Sequence, residues 1–104
     1  MFGDLFGNLD EQTKALQEQL KGISVQAQAG DGAVQVTANA NRVITNIAID
    51  KSKLDLTDTE ELEDLLIVAI NEAIGLAAEK EAEASQKLIK DIMPPGMDGL
   101  FGRG

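Results

Sequence analysis

From Thr59 to Ile92 the chain keeps helical spacing with no Pro in its way. At about 1.5 Å per residue such a helix spans roughly 50 Å. Three strands expected ahead of it run only about 27 Å each, so a single sheet covers about half of the helix. The other half needs another partner, and nothing else in a chain this small is long enough to supply one. The expectation is a homo-oligomer with projecting arms, whose function lies on a surface built by two chains rather than in a pocket within one.

Composition excludes much else. A chain of 104 residues allows one domain and one modest core, and chains of this size commonly gain stability by associating. There is no Cys, His, Trp or Tyr. Without thiol or imidazole there is no Cys nucleophile, no imidazole base, no disulfide framework and no zinc site of the usual kind. The carboxylates are scattered, with neither the Asp-rich loop that holds a hard cation nor a pair placed for acid–base work. The sequence is therefore expected to carry no catalytic residue, cofactor or metal and to act on no small-molecule substrate. Its opening, Met1-Phe2-Gly3-Asp4-Leu5, lacks a basic and then apolar export signal. No run of about 18 apolar residues marks a membrane span. The resulting expectation is a cytoplasmic protein with no membrane partner.

Periodicity organises the chain as α-β-β-β-α, an α+β fold of one domain. Residues 1–7 are expected to form a flexible tail, and 8–22 a helix with Leu9, Leu16 and Leu20 on one stripe, ended by Gly22. The period then changes from 3.6 to 2 across residues 23–50. Ile23, Val25, Ala27 and Ala29 alternate with polar residues, as do Val34, Val36 and Ala38. Gly30-Asp31-Gly32 supplies the first tight turn. A second turn around Asn39-Ala40-Asn41-Arg42 leads to a third strand, with Val43, Thr45, Ile47 and Ile49 on one face and Ile44, Asn46 and Ala48 on the other. Two short turns joining three runs make an antiparallel meander.

The long helix is read over 57–92, with Thr57 and Glu60 forming a capping box. Glu60, Glu61, Glu63 and Asp64 complement the dipole at its start. Leu62, Leu65, Leu66, Ala69, Ile70, Ala73 and Ile74 form the face that covers the sheet. Beyond Ala77 the bulk falls away until Leu88, Ile89 and Ile92, which are the candidate dimer contacts. Pro94-Pro95-Gly96 stops the helix, and 93–104 is read as a flexible tail. All three aromatics, Phe2, Phe6 and Phe101, fall in the two segments read as tails.

Gly32 to Asn39, Ile47 to Asp50, Glu61 to Leu65 and Ala69 to Ala73, together with the Met1-Phe2-Gly3 opening and the Pro95-Gly96-Met97 ending, resemble the YbaB/EbfC family of bacterial nucleoid-associated proteins. The likeness covers nearly the whole chain. It implies a tweezer-like homodimer with helical arms that binds duplex DNA with little sequence preference, in the nucleoid, in a role of chromosome organisation or gene regulation. Two positions depart from the family pattern. Ala40 stands where the family commonly has Gly, so Asn39 or Asn41 is expected to take the left-handed conformation, or the turn to be wider. The net charge of −9, from 9 basic and 18 acidic residues, has the wrong sign for an unaided phosphate binder.

What matters for phosphate is where the basic residues lie, because fields of exposed charges fade over about 10 Å at 0.1 M salt. Lys14 and Lys21 are seven apart on the first helix, and Lys80 and Lys87 seven apart on the second, with Lys90 close by. These five, with Arg42 at a turn, are the DNA-binding candidates, and Arg103 is an auxiliary on the tail. The competing reading pairs them with neighbouring acids, such as Glu83 with Lys87 or Lys87 with Asp91, on an ordinary solvated face. The alternative function is an acidic protein-interaction or scaffold module of the same fold with weak or no DNA binding. Mimicry of nucleic acid by the acidic helix start stands third. Single-strand binding is disfavoured, because no aromatic sits on a strand as a stacking platform.

Overall fold

The structure, a computed structural model, describes residues 2–92, with side-chain environments described over 11–91. Helix α1 (Phe2–Lys21) leads into strands β1 (Ser24–Ala29), β2 (Val34–Asn39) and β3 (Ile44–Ile49). A single 3₁₀ turn (Lys51–Lys53) then precedes helix α2 (Thr59–Ile92). The sheet is antiparallel in the order β1-β2-β3, which is the expected meander. The molecule measures 63 × 31 × 18 Å, with a radius of gyration of 19.1 Å, against about 13 Å for a compact chain of this length. That excess is the signature of an arm projecting from a small body.

Helix α1 starts at Phe2 and not at Asn8 as the sequence reading had it. The added turns include Gly3 and Gly7, each of which disfavours a helix by about 1 kcal/mol. Phe2, Leu5, Phe6 and Leu9 nevertheless keep i, i+3, i+4, i+7 spacing, so the stripe of α1 runs through both glycines. The expected C-terminal tail, 93–104, lies outside the described residues.

The hairpin between β1 and β2 has positive φ at Gly30, Asp31 and Gly32, at 65°, 55° and 86°. A Cβ at Gly30 would also stand 2.9 Å from Cδ1 of Leu65, so the end of that side chain would have to shift. The inner face of the sheet is Val25 and Ala27 on β1 with Val34, Val36 and Ala38 on β2, all buried. Helix α2 lies across this face over β1 and β2 and only grazes β3.

What meets the sheet is small. Ala69, Ala73 and Ala77, four apart, have no exposed surface, while Leu62, Leu65, Leu66, Ile70 and Leu76 pack around them half-buried. Core cover thus extends to Ala77, a turn beyond the expected Ile74. Alanine lets the helix backbone settle close to the sheet, and one result is a core whose largest fully buried side chains are Val34 and Val36.

Helix α2 is capped by Asp58 and not by Thr57. Asp58 Oδ1 accepts from the Glu61 N–H at 3.2 Å, while the Thr57 hydroxyl donates to Asp55 Oδ1 at 2.5 Å and its N–H to the same atom at 3.0 Å. An Asx turn at Asp55 captures Thr57, and the cap passes one residue on.

The third strand departs from simple alternation. Val36 pairs with Ile47 and Thr37 with Asn46, but Ala38 pairs with Ile44, leaving Thr45 as an extra residue in a β-bulge. Parity inverts at that point. Ile44 joins Ile47 and Ile49 on the inner face and packs against the core, while Val43 is exposed. The expected grouping of Val43 and Thr45 with Ile47 and Ile49 is corrected accordingly.

The turn between β2 and β3 holds α1 to the sheet. Ala40 is fully buried, and its N–H donates to the carbonyls of Leu20 (3.2 Å) and Ile23 (3.0 Å) at the end of α1. Asn41 Nδ2 donates to the Gln17 carbonyl at 3.1 Å. The left-handed residue is Arg42, with φ 64°, so neither Asn39 nor Asn41 takes that role. Asn39 acts through its side chain, whose Oδ1 accepts from the N–H groups of Asn41 (2.9 Å) and Val43 (3.3 Å).

Candidate nucleic-acid interface

Charge is unevenly distributed along the molecule. From Asp31 to Glu72 there are nine acidic residues, against Lys51, Lys53 and Arg42. Residues 11–21 and 79–91 together hold Glu11, Glu18, Glu79, Glu81, Glu83 and Asp91 against Lys14, Lys21, Lys80, Lys87 and Lys90. Arg42, although it comes from the turn, reaches the second group, which is thereby balanced at six of each sign. With Asp4 and Asp10 at the start of α1 the arm has eight acids against six bases, so it is weakly acidic where the body, at nine against two, is strongly so. Glu61 and Lys87 are 26 residues apart on one helix, roughly 40 Å, which is several screening lengths at physiological salt. The acids that dominate the net charge are electrostatically remote from the arm.

Within the arm, Lys80 and Lys87 share a face of α2 two turns apart, about 10 Å. They line one open groove of about 470 Å³ with Gln19, Ile23 and Ser24 at the α1–β1 junction and with Glu83 and Ala84. Lys80 Nζ lies 3.6 Å from Glu83 Oε2 and Lys21 Nζ 3.4 Å from Glu18 Oε1. Both pairs are exposed, and such pairs hold a lysine by no more than about 1 kcal/mol. Neither the Glu83–Lys87 nor the Lys87–Asp91 pair is formed among the described residues. Lys14, Lys87 and Lys90 therefore stand exposed with no ion-pair partner among those residues. Arg42 is placed differently. Its Nη2 lies 3.5 Å from Glu81 Oε2, on a flank of α2 about 100° away from Lys80.

That flank is apolar along most of its length. Ile67, Ile70, Ile74, Ala78, Glu81, Ser85 and Leu88 follow one another at intervals of three or four, the spacing by which one helix packs on another. Ile67 is 59 % exposed, and Ile47 and Ile49 on the neighbouring inner face of β3 are 43 % and 39 % exposed. Of the expected dimer contacts, Leu88 is half-buried and Ile89 is 51 % exposed beside it. The Ile92 side chain lies outside those described. The sequence reading missed Ile47, Ile49 and Ile67 as surface. The signal available was the second stripe on α2, offset from Ala69, Ala73 and Ala77 and too wide for a three-stranded sheet to cover.

Two carboxylates at the end of the body are tuned by local hydrogen bonds. Asp50 is held below the usual Asp value by the Ser52 hydroxyl and N–H, and Asp55 likewise by those of Thr57. Both are turn-forming and fully exposed. Among the described residues no group of three or more acids is placed to hold a metal ion, and no helix is long and apolar enough to cross a membrane.

Comparison with known proteins agrees with this geometry. The family model described as the YbaB/EbfC DNA-binding family matches residues 3–92. A nucleoid-associated protein of Moorella thermoacetica is 40 % identical over 85 residues, covering 82 % of each chain. One from Myxococcus xanthus is 37 % identical over 89 residues, 86 % of this chain and 85 % of that one. A third, from Flavobacterium johnsoniae, is 33 % identical over 102 residues, 93 % and 94 %. Among solved structures, an uncharacterized Helicobacter pylori protein superposes with a TM-score of 0.72 at 23 % identity, over 85 % of this chain and 92 % of that one, a likeness of fold.

Proposed function

Because this chain belongs to the YbaB/EbfC DNA-binding family, we propose that it binds duplex DNA as a homodimer in the nucleoid, with little sequence preference. The observation that carries this reading is the charge layout: far from the acidic body, the arm presents Lys14, Lys87 and Lys90 with no described acid holding them, and Lys21 and Lys80 in exposed pairs only. Lys80, Lys87 and Lys90 on α2, with Lys14 and Lys21 on α1, act as phosphate contacts. Lysine is a point charge without the bidentate fork that reads guanine, so these contacts position the protein without specifying a sequence. Arg42, engaged with Glu81 on the other flank, is the weakest member of the candidate set.

The dimer part of the reading rests on the core and the flank together. A monomer whose largest fully buried side chains are two valines is poorly stabilised alone. It also leaves an apolar strip from Ile47 and Ile49 across Ile67 and Ile74 toward Leu88 and Ile89. A second copy of α2 brings the same three-and-four spacing to that strip, as a two-fold interface requires.

Fluorescence anisotropy with labelled duplex across a salt series tests the DNA part. Binding that weakens steeply from about 50 to 200 mM salt is expected. A Lys80→Gln, Lys87→Gln, Lys90→Gln variant should lose affinity and flatten the salt slope while sedimenting as the parent does. No binding at high micromolar dimer, or binding indifferent to salt, refutes the reading. It would favour an acidic scaffold module, the alternative supported by the nine acids of the body.

A further inference from the structure

The ion pair between Arg42 and Glu81 is the one charged feature set into the apolar flank, and its placement is unusual in three respects. Glu81 occupies a seam position between Ala78 and Ser85, one turn away on either side. Its side chain is only 30 % exposed, against 68 % for Glu83 two residues on. Its partner does not come from α2, where an i+3 or i+4 lysine is the usual arrangement. It comes from the β2–β3 turn, where Arg42 is held at φ 64°, a conformation that costs a residue with a Cβ about 1–2 kcal/mol. The Arg42 N–H is tied to the Asn39 carbonyl at 2.9 Å, and the neighbouring Ala40 and Asn41 are tied to the end of α1. The guanidinium is thus delivered to Glu81 from a fixed point of the body.

We propose that Glu81, held by Arg42, sets the register in which a second copy of this chain packs along α2. The inference rests on the homodimer reading above and adds to it the residue that selects one alignment. The flank offers an approaching helix a repeating row of Ile and small residues, and a row that repeats can be met in more than one alignment. A single charged position breaks that degeneracy. Sliding the partner by a turn would press a large apolar side chain onto the carboxylate and strip its water or its guanidinium. Only alignments that place small or polar groups over 78–85 leave the pair intact. A lone polar residue in an apolar seam is known to specify register at some loss of stability.

The test uses the full chain with a spin label at Gln86→Cys. Gln86 is exposed, lies on the side of α2 away from the seam, and would carry the only thiol, since the chain has no Cys. Dipolar spectroscopy on the labelled parent is expected to give one narrow inter-label distance. Glu81→Leu, which makes the seam continuously apolar, should still dimerise but give a broadened or multiple distribution. Glu81→Ala, small and apolar, is the second variant should leucine perturb folding, and the same broadening is expected of it. Arg42→Ala leaves Glu81 without its partner and should raise the dimer Kd about tenfold, and adding Glu81→Leu to it should restore association. A Glu81→Leu protein with the parent's single distance overturns the register role while leaving the dimer standing. A labelled parent that sediments as a monomer with no dipolar coupling overturns the dimer reading itself, and the inference falls with it.

Discussion

Ile67 separates a monomer from a dimer more sharply than any other residue, because at 59 % exposure it contributes little to the single chain. Burying an isoleucine side chain completely is worth about 1.5–3 kcal/mol. With more than half of the residue still open, a partner that covers it recovers about 1–1.5 kcal/mol beyond what an alanine at this position would. A two-fold interface counts the residue twice, so Ile67→Ala should weaken the dimer by about 2–3 kcal/mol, a rise in Kd of about 30- to 150-fold. Sedimentation equilibrium over a range of loading concentrations measures this directly. Thermal melts of parent and variant add a second readout. The parent's midpoint should rise with protein concentration, and the two proteins should converge at dilutions where both are monomeric. A variant that stays dimeric with Kd within about threefold of the parent would show that the flank of α2 is not the contact.

Other substitutions probe the fold and its termini. Ala73→Leu forces a branched side chain between α2 and the sheet where Ala73 has no exposed surface, and a loss of about 1–3 kcal/mol is expected in urea titrations. Asp58→Ala removes the oxygen that caps the Glu61 N–H and should cost about 1 kcal/mol by the same assay. Thr57→Val deletes the hydroxyl that stabilises the Asp55 anion, so the Asp55 carboxyl, followed by NMR, should titrate nearer the ordinary Asp value. The sign of the pH effect follows from the depressed native pKa. The contribution of Asp55 is present above its unfolded pKa and is lost as pH falls through its folded one. Thr57→Val should therefore reduce the loss of stability that accompanies acidification across that window.

Alternation made the meander legible because β1 and β2 each present one face to α2 and one to water, so Val25, Ala27, Val34, Val36 and Ala38 fall on a strict period of two. The length of α2 was legible for an equally direct reason, since nothing from Thr59 to Ile92 forbids a helix. Three features were not. The bulge at Thr45 depends on how β3 meets β2 and has no signature in β3 itself. The cap moved from Thr57 to Asp58 because two local hydrogen-bonding patterns compete, and the choice is made by the turn at Asp55. The Arg42–Glu81 pair joins residues 39 positions apart, and spacing along one helix cannot reveal it. The lysines were visible as heptad pairs, but whether an acid holds each one depends on rotamers that spacing does not fix.

The bulge in β3 also bears on solubility. β3 is an edge strand in the described sheet, and an edge offers unpaired N–H and C=O groups to the strand of any other molecule. Natural edges are commonly guarded by a charge, yet Ile44 to Ile49 contains none. Here shape provides the guard. A two-against-one step twists the strand at its beginning, leaving only Asn46 to Ile49 as a straight run, shorter than the six or seven residues that stack readily into cross-β assemblies. Deleting Thr45 would straighten the strand while leaving Ile44 opposite Ala38 on the inner face. It would lengthen the flat edge at the same time, so the first symptom should be aggregation on refolding.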